Sequence, residues 1–243
     1  MVRKTFKLLF ENWRLFLPLL LIATAIGLLV AEGLSETTAV WGILLFLFLW
    51  LNTIFILRYR LAGKEVKLRD AVYNSLAPLA SGMVVLVVIV AECIPIFLLI
   101  VAYSAAIETK LFEVVGWAIL FILFVAAMIA LSGYLLSSSL VAMVAVSAPG
   151  LYPLMALKTA AELMRGRRIK FIVRLIVLLL TLGIIWAAFM LPLAGLWATA
   201  LPVVIAFIIL IAGFSSIYMA AYLYLEYKEL IKGDKHDKRR GRS

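Results

Sequence analysis

The chain has few of the residue types that build most catalytic and metal sites. It contains one cysteine, Cys93, and one histidine, His236, in 243 residues. A single cysteine excludes a disulfide within the chain and any cysteine-rich metal site. Charged residues make up only 15% of the sequence, well below the roughly 25% of an ordinary soluble domain.

Sequence motifs for the common chemistries are also absent. There is no H-E-x-x-H, no Gly-Lys-Ser/Thr phosphate loop and no dinucleotide glycine pattern. A serine nucleophile needs a positioned base, and His236 lies in a charged segment near the end of the chain. We therefore expect no enzymatic activity, no catalytic residues, no cofactor and no metal site.

What the chain has instead is apolar sequence. Hydrophobic residues make up 66% of it and the mean hydropathy is +1.16, against about 45–50% apolar residues in soluble proteins. Continuous apolar runs of about 18 or more residues are typical of transmembrane helices. We predict an all-α integral membrane protein with six transmembrane helices in a bundle, at about 15–30, 40–57, 76–105, 114–146, 169–191 and 203–225.

The six runs define one membrane domain, residues 1–228, followed by a basic tail at 229–243 that is predicted to be disordered. A cleaved signal peptide is the alternative for the first run, because Ala23-Thr24-Ala25 has the A-x-A form of a cleavage site. The apolar run continues past this site without a break, which favours an uncleaved first span.

Charge predicts the orientation. The segments before span one, between spans two and three, around the start of span five and after span six hold four, five, six and seven of the 23 basic residues. Only Lys110 remains for the opposite side. By the positive-inside rule, both termini are expected to be cytoplasmic in a multi-pass protein of the cell (inner) membrane.

The entries to the odd-numbered spans are similar to one another. Each is preceded by a basic amphipathic stretch: FKLLFENWR, LRDAVYNSL and LKTAAELMR. Aligning Phe6, Leu68 and Leu157 brings Lys7, Arg69 and Lys158 into register. The pattern is consistent with three repeated helical hairpins, each preceded by a basic amphipathic elbow helix lying on the membrane surface, or simply with three ordinary basic entries to membrane spans.

Glu92 is the only ionisable side chain deep within a predicted span. An ionised group at a helix centre costs roughly 2.5–3.5 kcal/mol on insertion scales, so we expect Glu92 to face the bundle interior. Pro95 has no backbone N–H, so the Ala91 carbonyl loses its helical partner. The two residues predict either a kinked proton or ion site or a neutral, hydrogen-bonded glutamic acid; no second deep acid, Lys, Arg or His is available as a relay partner.

Span four has a hydroxyl-rich later half. Ser137, Ser138 and Ser139 follow Ser132 and Tyr134, and the serines either line a polar pathway with Glu92 and Pro95 or pair helices. Small and hydroxyl residues are common at helix contacts in membranes, which favours the packing role.

The longest polar interruption lies between spans four and five, at residues 149–174. A helix from Pro153 to about Gly166 is expected to place Leu154, Leu157, Ala161 and Met164 on its apolar side. Its charges are candidate contacts for anionic lipid headgroups or for a protein partner, or serve only as an orientation anchor: Lys158, Arg165, Arg167, Arg168 and Lys170. The net charge of +10 is explained by the membrane, and no nucleic-acid partner is expected.

Two patches resemble a known group. The run SSSLVAMVAVSAPGLYPLMALKTAAELMRGRRIKFIVRLIVLLL and the segment SSIYMAAYLYLEY resemble the YciC-like six-span bacterial membrane proteins. They are also similar to the membrane domain of membrane-bound glycerophosphodiester phosphodiesterases. The resemblance implies a bacterial inner-membrane protein of unresolved role, and it carries over no hydrolytic activity because no catalytic motif is matched.

Two functions follow as hypotheses. The first is a non-enzymatic membrane scaffold, or a module that binds lipid or a partner protein through its basic elbow helices. The alternative is a small solute transporter or proton-coupled permease that uses Glu92 in span three.

Overall fold

The described residues of this computed structural model are 1–33, 38–109, 115–148, 150–193 and 201–240. Within these ranges the chain is helical and contains no strand, which confirms the all-α prediction. In chain order the helices are α1 (Val2–Glu11), α2 (Trp13–Gly33), α3 (Thr38–Arg60), α4 (Leu68–Leu76), α5 (Leu79–Glu92), α6 (Ile94–Glu108), α7 (Val115–Ala145), α8 (Pro153–Leu163), α9 (Arg168–Leu193) and α10 (Leu201–Arg240).

Several of these helices are long and apolar enough to cross a membrane. Five stretches meet that requirement: α3, α5 with α6, α7, α9 and the greater part of α10. A sixth is obtained if α1 and α2 are taken together as one bent span. The chain is therefore a multi-pass membrane protein by length and composition.

The first predicted span corresponds to α2, and α1 bends away from it by 88°. The bend lies at Asn12, whose side-chain amide donates to the Leu8 carbonyl at 2.9 Å while its backbone N–H donates to Leu9. The amide occupies a carbonyl at the end of α1, so the first helix ends there instead of continuing into α2.

The third predicted span is broken at Cys93 into α5 and α6. Pro95 occupies the first turn of α6, where its missing N–H costs nothing. Backbone N–H groups at the break donate to Ile89, Val90 and Ala91. The Ala91 carbonyl, which loses its helical partner to Pro95, is thus satisfied by another backbone donor.

The core is built around α3. Its second half is buried on nearly every side, with Trp50 and Leu51 both 1% exposed, and α2, α4 and α10 pack against it. A helix that is apolar all round belongs in an interior. The other buried stretches are the middle of α10, around residues 217–224, and the end of α7, around 141–146.

The opposite side of the bundle exposes apolar side chains. In the most apolar 18 residues of the span formed by α5 and α6, only 6% of the residues are buried, compared with 50% in the corresponding stretch of α3. Val87, Val101 and Leu123 are each more than 60% exposed. An apolar surface of this extent is what a helix bundle presents to lipid tails.

Helix α8 packs on α7 through small residues. Ala156, Ala160 and Met164 are fully buried, whereas Leu154 is 77% exposed. Leu154, which the sequence places on the apolar side, does not belong to the side of α8 that is buried against protein: the two alanines allow a close approach to α7 and Leu154 faces outward. Pro153 begins the helix as predicted, and Gly166 follows its end with φ of 75°.

Parts of two predictions concern residues that the structure does not describe. Lys110, the single basic residue assigned to the opposite side, lies outside the described residues, and so do residues 241–243 of the predicted tail. Helix α10 continues to Arg240; the disorder of residues 229–243 stays a prediction.

Candidate functional site

Glu92 ends α5 and is held by two serines of α7. The Ser139 hydroxyl donates to the Glu92 Oε1 atom at 2.8 Å, and the Ser132 hydroxyl donates to the Glu92 backbone carbonyl at 3.2 Å. The Oε2 atom is buried and has no hydrogen-bond partner among the described residues. One oxygen of the carboxyl group is thus held by a hydrogen bond, and the other is free to bind a proton or another donor.

The break in the helix explains why Glu92 can use these serines. The Ile96 N–H donates to Cys93, one residue closer than its α-helical acceptor, Glu92. The Glu92 carbonyl is thereby left for Ser132, which is fully buried where α7 crosses the break. A proline-induced break next to a carboxyl group therefore creates the polar site.

Arg168 is a neighbour of Glu92 that the sequence did not reveal. Its guanidinium carbon lies 3.7 Å from the centroid of the Tyr134 ring, and Nη1 donates to the Tyr134 carbonyl at 3.1 Å. This position brings its charge towards the Glu92 carboxyl, although no salt bridge joins the two side chains in the described part of the chain. No signal in the sequence links residue 168 to residue 92, because their proximity depends on how α9 packs against α7.

The predicted serine cluster divides into two roles. Ser139 reaches Glu92, whereas Ser137 and Ser138 donate to carbonyls three residues earlier in their own helix, at 2.7 Å and 2.9 Å. Such local bonds satisfy a hydroxyl in an apolar environment without a partner on another helix. The polar site therefore consists of Glu92, Ser132 and Ser139, with Arg168 and Tyr134 beside them.

The five basic residues predicted to contact headgroups divide in the same way. Lys158, Arg165 and Lys170 are exposed. Arg167 donates to the Leu230 carbonyl of α10 at 3.0 Å, and Arg168 stacks on Tyr134. Three of the five side chains are therefore exposed and could reach lipid or a partner, whereas Arg167 and Arg168 join helices.

A second polar cluster joins α9 to α10. Arg174 Nη1 lies 2.6 Å from Glu226 Oε2 and 2.9 Å from Glu229 Oε2. Glu226 is 2% exposed, and the Tyr222 hydroxyl donates to the Arg174 carbonyl at 3.0 Å. By charge pattern alone, Arg174 is one of the basic residues that predict orientation. The spacing of Glu226 and Glu229, three apart on one helix face, was the sequence signal for its partners.

Neither cluster resembles a metal site. Within the described ranges, no three His, Cys, Asp or Glu side chains lie close enough to hold a metal ion. Both clusters instead combine a carboxylate with an arginine and hydroxyl groups, which suits hydrogen bonding and proton or anion contacts.

Comparisons with protein-family models, with curated proteins and with solved structures found no match.

Proposed function

We propose that the protein is a non-enzymatic module of the cell (inner) membrane that binds anionic lipid headgroups, or a partner protein, through short basic helices at one end of its bundle. One observation carries the proposal: α8 is anchored by a buried alanine side and presents exposed apolar and basic residues together. Leu154 and Met155 are 77% and 56% exposed, beside exposed Lys158 and Arg165.

This combination suits the boundary between lipid tails and headgroups. Apolar side chains enter the acyl region while lysine and arginine reach the phosphates. A basic residue near an anionic surface contributes about 1 kcal/mol. The YciC-like resemblance and cytoplasmic termini belong to the same proposal, because the positive-inside rule places basic segments at the cytoplasmic leaflet.

The other two short helices support the same role. In the alignment of the three segments, Leu9, Ala71 and Ala160 are all buried. Lys7, Arg69 and Lys158 are all exposed at equivalent positions. Agreement in both sequence and exposure favours three related units of an elbow helix followed by a helical hairpin over three unrelated basic entries.

Photocrosslinking tests the proposal. The protein is reconstituted in vesicles of phosphatidylcholine and phosphatidylglycerol that carry a photoactivatable form of either lipid. The double variant Lys158→Gln/Arg165→Gln is expected to lower the ratio of anionic to neutral lipid crosslinked to α8 by about thirtyfold, since two headgroup contacts of about 1 kcal/mol each are lost.

Glu162→Gln is the matched control, because it removes an exposed charge of opposite sign from the same helix. It should leave the ratio unchanged or raise it. A ratio that is equal in wild type and double variant would contradict headgroup binding by α8 and leave a protein partner as the alternative occupant.

A second candidate function is proton-coupled or solute transport through Glu92. It is favoured by the buried Oε2 atom without a partner, at a helix break beside Ser139 and Arg168. Intramembrane carboxyl groups commonly mark proton and ion pathways. Glu92→Gln is expected to abolish proton-coupled or solute flux into proteoliposomes while the protein is still expressed. Transport by this variant at the wild-type rate would exclude Glu92 as the coupling group.

A further inference from the structure

A cavity of about 650 Å³ opens beside the end of α3, at the end of the bundle that carries the short basic helices. It lies between α3, the junction of α4 with α5, and the segment that connects α7 to α8. Its volume falls within the range of small-molecule sites. The lining residues that carry the argument are Arg58, Tyr59, Lys64, Ser81, Ser147 and Tyr152.

The cavity is positively charged. Among the described residues, Arg58 and Lys64 are the only charged side chains that line it, and no carboxylate does so. In the described part of the chain, no acidic side chain forms an ion pair with Arg58. A half-buried guanidinium without a carboxylate is electrostatically unbalanced, and an anion in the cavity would compensate it.

Arg58 is held in place by neutral partners. Nη1 donates to the Ser147 carbonyl at 2.8 Å and Nη2 donates to the Ser147 hydroxyl at 2.9 Å. A guanidinium has five N–H donors, so these contacts orient the group and leave further donors for a ligand.

Lys64 is placed by the end of α3. Gly63 has φ of 74°, its N–H donates to Arg60, and the Lys64 N–H donates back to Tyr59. This is a Schellman turn, which needs a residue without a Cβ at the left-handed position. It returns the chain so that the Lys64 ammonium lies 5.9 Å from the centroid of the Tyr59 ring, in the wall of the cavity.

Two helices also begin at this cavity. Pro78 and Tyr152, the residues that precede α5 and α8, both line it, and neither helix has a side-chain N-cap. Uncapped N–H groups and the positive end of the helix dipole favour an anion at such a position. They add to the charges of Arg58 and Lys64.

We propose that this cavity binds the phosphate of an anionic phospholipid headgroup, one lipid per chain. Phosphate is the chemistry that a guanidinium, an ammonium, hydroxyl groups and helix N-termini recognise together. Phe55, Leu151 and exposed Tyr152 supply an apolar wall for the glycerol and the start of the acyl chains. This site deepens the proposed headgroup binding, but it uses residues separate from the exposed charges of α8.

Native mass spectrometry of the full chain in neutral detergent tests the site with phosphatidylglycerol and phosphatidylcholine as probes. We expect one phosphatidylglycerol to be retained by the wild type and phosphatidylcholine to be lost. Lys64→Gln should weaken retention by about tenfold, the size expected for one charge-assisted hydrogen bond.

A second variant tests the cavity without replacing Arg58, whose hydrogen bonds hold the fold together. Ser81→Asp introduces a carboxylate into the cavity wall at the third residue of α5, where an acid favours the helix. It should abolish retention while the protein stays folded. Lys232→Gln, which removes one exposed charge from α10 away from the cavity, is the matched control and should retain the lipid.

A second experiment, with soluble phosphate compounds, distinguishes a lipid headgroup from a free phosphate as the ligand. Titration calorimetry with inorganic phosphate and glycerol 3-phosphate should give no saturable binding. Saturable binding that Lys64→Gln weakens, without lipid retention, would assign the cavity to soluble phosphates and overturn the headgroup assignment.

Equal retention by the wild type, Lys64→Gln and Ser81→Asp would also overturn the assignment. This outcome is separable from failure of the broader proposal, because the α8 crosslinking ratio depends on Lys158 and Arg165, which do not line the cavity.

Discussion

Two glutamates lie within long apolar helices of this protein, and their surroundings differ in one respect. Glu226 has one carboxylate oxygen bound to Arg174, and Glu92 has one bound to a serine hydroxyl. In each case the other oxygen is buried and has no partner among the described residues. The same carboxyl group is thus hydrogen-bonded directly to an arginine in one place and to a neutral hydroxyl in the other, where the Arg168 charge lies nearby on the Tyr134 ring.

This difference distinguishes Glu226, which belongs to a structural site, from Glu92, which belongs to a candidate functional site. A carboxylate bound to arginine is held as an anion and ties two helices together. A carboxyl bound only to a hydroxyl can gain or lose a proton without breaking an ion pair, which is a property that proton pathways need. This contrast predicts that the two sites respond differently to substitution.

The largest effect is expected from Arg174→Gln. It leaves the carboxylate of Glu226, which is 2% exposed, without its cation, and breaking such a pair costs about 3 kcal/mol. Unfolding in detergent, followed by temperature or denaturant, measures the loss. The double variant Arg174→Gln/Glu226→Gln should recover most of the stability; a double variant as unstable as Arg174→Gln would show that the pair does not matter.

Ser139→Ala is expected to have an intermediate effect. It removes the only donor to Glu92 Oε1 and should cost about 1–2 kcal/mol, the usual penalty for an unsatisfied buried acceptor. Ser138→Ala is the matched control, because that hydroxyl bonds only to its own helix, and it should cost less than about 0.5 kcal/mol. Equal costs for the two variants would remove Ser139 from the site.

The smallest effect is expected from Arg168→Lys. Lysine keeps the charge near Glu92 but cannot stack its head group flat on Tyr134, so about 0.5–1 kcal/mol should be lost. Arg165→Lys, at an exposed position on the preceding segment, should change nothing. A stability loss shared by both variants would indicate a general preference for arginine rather than a specific stacking contact.

Much of the fold could be predicted because apolar length determines it. The long runs became α2, α3, α5 with α6, α7, α9 and α10. The third predicted span departs from this: Cys93 divides it, and its first residues, 76–78, belong to the end of α4 and the turn into α5. The side of each helix that packs against its neighbours was harder to predict. In α8 the sequence pattern favoured Leu154, but the alanines decided the packing, because in a membrane close approach matters more than hydrophobicity.

The candidate sites were predictable only in part. Glu92 was identified because a charge in an apolar run is conspicuous, and its serine partner lay within the predicted cluster. Arg174 and Arg58 were counted as orientation charges, and Arg168 was predicted as a headgroup or partner contact or an orientation anchor. Their partners are 34 to 89 residues away in the chain, and local spacing carries no information about contacts at that distance.

The position of α3 has a consequence for how the protein is made. This helix comes early in the chain, yet one side of its buried surface is covered by α10, the last described helix, while α2 and α4 cover other sides. During synthesis, the side that α10 covers is expected to face lipid until α10 has been made. A chain interrupted before residue 201 would therefore be inserted but unfinished, with the side of α3 that α10 covers still facing the bilayer.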